Sequence, residues 1–287
     1  MSHHHHGDES ESHPHFSLPF FIIVVTSSTL LCLATVCLFA PAHILTAQLQ
    51  FGWSLIGVVT AFHLMNAFVE YIFHRYVLHA PLIPGLGYFY KQHTRHHGLT
   101  RVTFARGNIL DHPVLVENKY PIETEAQHEA SFFPAYSYIV FAGLGTPIFV
   151  LLQWLMPSAP ILFGGYLSLT LSLALYETFH NLEHKPLKSW LRFLEHPQYG
   201  LFWRKVYAFH LRHHVDTYCN ESVSGFFGIP VPDFLFRTWV TPTVLYTDQT
   251  YVSRGEAKSP TPSSPIRQLD RLVRIAIAAR VRRREGR

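Results

Sequence analysis

Ten histidines of this 287-residue chain fall into four short motifs, in which a spaced pair alternates with a triple. In order, the motifs read HRYVLH, HTRHH, HNLEH and HLRHH. Imidazole is a common ligand of transition metals, and residues three and four apart share one face of a helix, so each triple can aim its rings at one point. The motifs predict a metal centre with the ligands His74, His79, His93, His96, His97, His180, His184, His210, His213 and His214.

Ten ligands exceed the need of one ion, because a protein metal site usually has about four to six. We therefore expect two metal ions, with four or five histidines each. The nearest carboxylates are Glu70, Glu177 and Glu183. Glu70 and Glu177 are candidates to accept the second N–H of an imidazole and fix its tautomer, although Glu70 could equally cap a helix.

The first pair is less regular than the others. His74 and His79 are five apart and would diverge by about 140° on a continuous α-helix. Pro81 predicts that the helix ends near His79, which would free that ring to turn inward. Five further histidines belong to no spaced histidine motif, and we expect a structural role for each: His43, His63, His112, His128 and His196.

The composition disfavours a soluble protein, with 48% hydrophobic and only 15% charged residues. Four apolar runs, at 17–39, 51–73, 132–156 and 161–179, are each long enough for a membrane-spanning helix of about 20 residues. We predict an all-α integral membrane fold with four transmembrane helices in two hairpins. A cleaved signal peptide is the alternative for the first run, but no basic segment precedes that run.

Charge is distributed unevenly along the chain. All 23 lysines and arginines lie within 75–119 or from Lys185 onward. Because loops on the cytoplasmic side of a membrane are enriched in these residues, we expect both stretches to be cytoplasmic. The histidines would then form a helical cap on that side, beyond the second and fourth helices. The membrane itself could be the endoplasmic reticulum or a bacterial inner membrane.

The chain divides into a membrane domain and two distinct ends. We place the domain at 17–250, and it consists of two similar units, each a membrane hairpin followed by a histidine pair and a triple. Residues 1–16 predict a disordered polar tail containing histidine. Residues 251–265 predict a flexible linker, and 266–287 a basic amphipathic helix that either binds anionic lipid or is simply solvated. Inside the domain, the aromatic and basic segment 185–209 fits an interfacial helix or ordinary packing.

The four motifs resemble, in order and spacing, the histidine signature of the fatty acid hydroxylase / sterol desaturase superfamily, HxxxxH, HxxHH, HxxxH and HxxHH. Asn220, six residues after His214, and the segment 230–238 (PVPDFLFRT) are also similar to the end of the family's core. The resemblance spans residues 60–240 approximately.

This resemblance implies a multi-pass membrane enzyme that uses O₂ and two electrons to hydroxylate a lipid in lipid biosynthesis. It implies two metal ions, iron or alternatively zinc, and a supporting role for Asn220 beside the ligands. Desaturation or sterol methyl oxidation on the same scaffold is the nearest alternative. The sequence shows no flavin or nicotinamide fingerprint, so we expect a separate electron donor of the cytochrome b5, ferredoxin or reductase type. We expect no nucleic-acid partner.

Two other classes remain open. HNLEH also satisfies HxxEH, in which Glu183 would be the base of a zinc protease and His180 and His184 its ligands, but that uses only two of the ten histidines. A metal transporter would place its ligands near the middle of the bilayer, whereas these motifs follow the ends of the apolar runs.

Overall fold

Helices dominate the fold. The computed structural model describes residues 17–104, 114–242, 244–247, 250–253 and 258–285. The predicted tail at 1–16 and His112 lie outside these ranges. The helices are α1 Leu18–Phe39, α2 Ala42–Gln48, α3 Trp53–Phe73, α4 Gly87–Leu99, α5 Glu125–Ser131, α6 Ser137–Leu155, α7 Ile161–Glu183, α8 Leu187–Leu194, α9 Gly200–His213, α10 Val231–Phe236 and α11 Ser264–Glu285. A π-helical turn, His74–Leu78, continues α3, and a 3₁₀ turn, Pro84–Leu86, precedes α4.

Three short strands form a small antiparallel sheet in the order β1 (Val102–Phe104), β2 (Val114–Asn118), β3 (Tyr251–Val252). The all-α prediction is wrong in this respect. Valines favour the pleated, half-buried surface of a strand, and they recur along β2. β3 lies within the segment predicted as a linker, and its two residues pair with β2.

In the described part of the chain, four helices are long and apolar enough to span a membrane: α1, α3 together with its π turn, α6 and α7. They coincide with the four apolar runs and fit a multi-pass membrane protein. Large apolar side chains remain exposed on their outer surfaces, such as Leu38 at 77% and Trp154 at 75%. A contiguous apolar surface of this kind marks contact with a membrane or a partner.

The other three spans, α1, α3 and α6, are arranged around α7 and pack against it. Within the first predicted hairpin, α1 and α3 each pack chiefly against α7 and not against each other. Glycines on α7 explain the arrangement. A Cβ on Gly164 would overlap Val58 of α3, and one on Gly165 would press against Phe149 of α6. Small residues of this kind let membrane helices approach closely.

Two buried glutamines secure the start of α7. Gln48 at the end of α2 accepts a hydrogen bond from the Phe163 N–H at 3.0 Å and donates to Gln153 of α6 at 2.9 Å. Gln153 in turn accepts from the N–H groups of Ile161 and Leu162 at 3.1 and 3.2 Å. The first N–H groups of a helix need such partners. α2, α6 and α7 are therefore fastened together at the end of α7 opposite to its histidines.

An apolar core lies beyond the spans, between the sheet and helices α8 and α9. Trp190 and Tyr207 are buried in it, and Phe193 and Trp203 pack against them. Ordinary packing thus explains most aromatic residues of the segment 185–209. Tyr199 and Phe202 are the exceptions, each with 59% of its surface exposed.

Candidate metal centre

The turn after α3 brings the first histidine pair together. In the π turn, the His79 N–H donates to the His74 carbonyl at 3.1 Å. A π turn pairs residues five apart. The two rings therefore lie on the same side, with centroids 4.9 Å apart. The helical stretch ends at Leu78, next to His79 as predicted, and the wider winding of the π turn removes the divergence expected on an α-helix.

The other eight histidines lie near the ends of three helices. α4 carries the first triple, and α9 carries the second, of which His214 is the C-terminal cap. His180 is in the last turn of α7, and His184 caps that helix. The structure thus gathers all ten histidines where α3 and α7 end.

Two groups of histidines each hold nitrogen atoms close enough for one ion. Within a group, the candidate ligand nitrogens all lie within 4.8 Å of one another. His214 adjoins the second group, because its Nε2 is 3.2 Å from that of His210, and it also groups with His96 and His97. The first group is His74, His79, His93, His97 and His213, and the second is His96, His180, His184 and His210.

Each triple is divided between the two groups, which corrects the expectation that its three rings point at one ion. In α4, His93 and His97 belong to the first group and His96 to the second. In α9 the division is mirrored, because His213 alone joins the first group. On a helix, the second and third members of HxxHH are about 100° apart, wide enough to face two ions. The first group therefore consists of histidines of the first unit together with His213 of the second unit. The second group consists of histidines of the second unit together with His96 of the first.

Backbone carbonyls orient four of the rings. Because a carbonyl only accepts, each of these imidazoles must carry its proton on Nδ1, which leaves a lone pair on Nε2. The three bonds besides that of His74 measure 2.8 to 3.1 Å. The pairs are His74 with Glu221, His184 with Tyr120, His213 with Cys219, and His214 with Thr100.

Ser131 orients a fifth ring in the second group. Its hydroxyl donates to the Gln127 carbonyl at 2.6 Å, so it accepts from Nδ1 of His96 at 2.7 Å. Among the described residues, the buried Nε2 atoms of His96, His180 and His184 have no hydrogen-bond partner. Buried polar atoms without partners are costly. A metal ion fits this group, since it would accept the lone pairs.

In the first group, several imidazole nitrogens crowd together with too few protons to form hydrogen bonds between them. Nε2 of His93 lies 2.9 Å from Nε2 of His74 and 3.1 Å from those of both His79 and His97. Nε2 of His74 is an acceptor, and a single proton on His93 can satisfy only one of these contacts. A shared cation satisfies all of them. The donor set of this group therefore also fits a metal ion.

Burial keeps the imidazoles uncharged. It lowers the pKa of His184 to about 3. The neutral imidazole is the form that binds metal, so these side chains are competent ligands at neutral pH. Burial, and then repulsion between neighbouring rings, also holds the pKa well below its ordinary value for His79, His93, His96, His97, His210, His213 and His214.

Two predicted supporting carboxylates act elsewhere. Glu70 accepts hydrogen bonds from the backbone N–H groups of Val223 and Ser224 and from the Ser224 hydroxyl. Glu177 accepts from the Phe133 N–H at 2.9 Å. In the described structure, neither carboxylate is hydrogen-bonded to an imidazole. Both tie a loop to a membrane helix, which corrects the predicted role.

Asn220 also acts on the backbone. Its amide donates to the carbonyls of Phe209 and Val240 at 2.8 and 2.9 Å and accepts from the Val240 N–H at 2.7 Å. It adopts a left-handed conformation, φ 53°, which asparagine tolerates. The loop that it holds includes Cys219 and Glu221, whose carbonyls orient two of the rings. Its contribution to the site is therefore indirect.

Two acidic residues complete the surroundings of the site. Glu183 Oε2 is 4.0 Å from Nδ1 of His210, too long for a hydrogen bond, and neither atom has another partner in the described structure. Asp233, in PVPDF, accepts from the N–H groups of Glu221 and Ser222 at 2.9 and 2.8 Å. Asp233 thus supports the same loop as Asn220.

The remaining histidines stay outside both groups in the described part of the chain. His63 is buried and bonded through Nδ1 to the Ser172 hydroxyl at 2.9 Å, and its Nε2 accepts from the Phe227 N–H at 3.3 Å. His43 and His196 are exposed. A structural reading therefore suits His63.

An apolar cavity of about 70 Å³ adjoins the first group. Its walls come from the membrane-spanning helices α3, α6 and α7, including Val69, Phe73, Phe141 and Leu173. His74 forms part of the same wall. An apolar space between the candidate spans therefore ends at one of the candidate ligands.

No protein-family model, curated protein or solved structure matches this chain. The chemistry of the site must therefore be judged from its own residues and geometry.

Proposed function

We propose that this protein is a membrane-bound, O₂-dependent lipid hydroxylase of the fatty acid hydroxylase type, with a histidine-ligated dimetal centre. The observation that carries the proposal is the gathering of ten buried or half-buried histidines, nine of them in two adjoining groups of converging imidazole nitrogens and His214 beside the second group. Paired metals with nitrogen ligands suit activation of O₂, and iron is the proposed metal, with zinc as the alternative. When bound, the ions would supply the redox chemistry of oxygen insertion into a C–H bond.

The cavity supports a lipid as the substrate. An apolar wall between membrane helices would exclude water and hold a hydrocarbon chain, and Phe73 and Phe141 are in edge contact with centroids 5.2 Å apart. Because His74 shares this wall, a chain bound there would lie against the first group. The protein's part is thus to position a methylene group and keep it dry.

The rigid hydrogen-bond frame is the second contribution of the chain. Ser131 and the four carbonyls hold five rings by Nδ1, and such partners commonly maintain both the direction and the basicity of a ligand. The distribution of lysine and arginine supports a centre on the cytoplasmic side. There, a separate carrier of the cytochrome b5, ferredoxin or reductase type would deliver the two electrons.

The test is to reconstitute the purified protein with iron, lipid, O₂ and a reducing system, and to analyse the lipids by mass spectrometry. A gain of one oxygen supports the hydroxylase, whereas a loss of two hydrogens would assign a desaturase. Retention of about two ions per chain without transport across vesicles distinguishes both from a transporter. No lipid product under these conditions, with metal bound, would overturn the proposal.

A matched pair of variants ties the product to the centre. His97→Ala removes a candidate ligand, whereas His43→Ala removes an exposed histidine of α2 that belongs to neither group. We expect product to disappear in the first variant and to persist in the second, with equal membrane insertion. Equal activity in the two would contradict the assignment.

A further inference from the structure

The C-terminal helix α11 is fastened to the turn that carries the first histidine pair. Asp270 accepts hydrogen bonds from Nε and Nη2 of Arg75 at 2.9 and 2.8 Å and from the Tyr76 hydroxyl at 2.8 Å. Further along α11, Arg280 donates hydrogen bonds to the carbonyls of Pro81 and Leu82 at 2.6 and 2.7 Å. α11 is therefore attached both inside and just after the π turn.

The attachment continues to a candidate metal ligand. Arg75 also donates through Nη1 to Oε1 of Glu221 at 2.7 Å, and both side chains are almost fully buried. The backbone carbonyl of the same glutamate accepts from Nδ1 of His74. Asp270, Arg75 and Glu221 thus form a continuous chain of contacts from α11 to His74. Displacing α11 would leave a buried guanidinium without two of its hydrogen bonds, which is costly.

The outward side of α11 has two different faces. The face of α11 that packs against the protein is centred on Ile266 and Asp270. Measured around the helix axis, the exposed Leu272 and Ile275 form an apolar stripe about 120° to 180° away from that face. Leu272 is 60% and Ile275 53% exposed. Exposed arginines occupy the remaining arc, and in the described structure none of them forms an ion pair with a carboxylate. They are Arg267, Arg271 and Arg282, whereas Arg274 interacts with the charge of Asp270 one turn away and the exposed Arg283 lies on the side of the apolar stripe.

The position of α11 decides what these faces meet. Pro81 and Leu82, to which Arg280 is bonded, come directly after the span that ends at Leu78. With that span in a membrane, the part of α11 around Arg280 lies where the span leaves the apolar layer, at the level of lipid headgroups. A helix with an apolar stripe beside unpaired arginines binds such an interface, and anionic headgroups attract the arginines.

We propose that α11 is a clamp for anionic lipid, and that lipid bound to its outer faces steadies His74 through Asp270, Arg75 and Glu221. The occupant is the anionic leaflet, whose negative charge complements the unpaired arginines and whose acyl region covers the apolar stripe. The inference concerns the placement of α11 and is independent of the reaction at the metal centre.

The first experiment measures amide hydrogen exchange of α11 in the full-length, metal-loaded protein. The protein is placed in nanodiscs of phosphatidylcholine alone or mixed with phosphatidylglycerol. We expect exchange within 264–285 to slow at least about tenfold in the anionic discs and to return towards the neutral value in high salt. Equal exchange in both lipids would overturn the proposal.

A charge-matched control separates α11 from general basicity. Arg271→Gln with Arg282→Gln removes two charges from α11, and Lys188→Gln with Lys205→Gln removes two exposed charges from α8 and α9. The lipid-dependent slowing should fall about tenfold in the arginine variant, because each basic residue near the surface contributes to attraction. The lysine variant should keep it. A similar loss in both variants would refute a specific clamp.

The second experiment tests the connection to His74. The rate of metal transfer to a chelator is compared in the two lipids for the parent chain and for Asp270→Asn, which keeps the size of the side chain but weakens the pair with Arg75. Anionic lipid should slow metal loss several-fold in the parent and should have little effect in the variant. Equal slowing in both would show that the contact chain does not transmit lipid binding.

Discussion

Because each histidine triple is divided between two groups, two variants that each lose two histidines of one triple should retain different numbers of metal ions. A simple count of ligands would predict the same loss for both. Two double variants each remove two histidines from the triple of α4. His93→Ala with His97→Ala takes both imidazoles from the first group, whereas His93→Ala with His96→Ala takes one from each group. The first variant should therefore keep one intact ion site, and the second should keep none.

The magnitude follows from the donor counts. In the first variant the first group falls from five histidines to three, while the second group keeps all of its own. Loss of even a supporting partner of a metal ligand costs about 10- to 100-fold in affinity, so loss of a ligand should cost at least about 100-fold, or about 2.8 kcal/mol. In the second variant, both ions should be weakened by that factor.

The assay is metal analysis after exposure to a chelator that spares the parent chain. We expect about two ions per chain in the parent, one after loss of His93 and His97, and none after loss of His93 and His96. Thermal unfolding of the metal-free variants should be similar, because each lacks two buried imidazoles. Equal retention of metal by the two variants would refute the division of the triples and restore the view that each triple serves one ion.

Three further predictions address the frame, the ionisation and the packing of the site. Ser131→Ala leaves the buried N–H of His96 without its acceptor and should weaken the affinity for the second ion about 10-fold. Ser137→Ala removes a buried hydroxyl that has no hydrogen-bond partner among the described residues, and it should leave that affinity unchanged. Chelator competition measures the affinity of both variants. The pKa of His184 falls from 6.5 to about 3 on folding, so below pH 6.5 the unfolded chain binds more protons and stability declines as the pH drops towards 3. The unfolding temperature of the metal-free protein should thus be level above pH 7 and fall below 6.5, and a level profile down to pH 5 would contradict this. Gly164→Ala should cost about 1–3 kcal/mol by overlapping a valine of α3, whereas Gly143→Ala meets nothing within 4 Å; unfolding in detergent compares them.

The sequence identifies the candidate spans and the candidate ligand histidines because both depend on local patterns. A membrane helix must be apolar along its whole length, so the four runs are visible without any tertiary information. Histidine spacing on a helix is likewise a local property. The order in which the spans pack is not local, and it depends on whether a position such as Gly164 faces a neighbouring helix.

The supporting groups were mostly missed for a different reason. Four of the acceptors at Nδ1 are backbone carbonyls, which every residue possesses and which leave no mark on the sequence. Sequence proximity instead favoured Glu70 and Glu177, one turn from a ligand. Both are occupied by backbone N–H groups of loops far away in the chain. Only Ser131, a side chain, could have given a signal, and it lies 35 residues from His96.

The exchange of one histidine between the units explains why the pattern of pair and triple occurs twice. Each unit supplies most of one group but lacks one imidazole, which arrives from the partner unit as His96 or His213. The loop that follows the second triple orients His74 of the first unit as well as His213. Neither group can therefore form before both units have packed together. Metal binding should accordingly stabilise the contact between the two halves of the chain and not each half separately, because an ion that binds only the assembled site favours the assembled state.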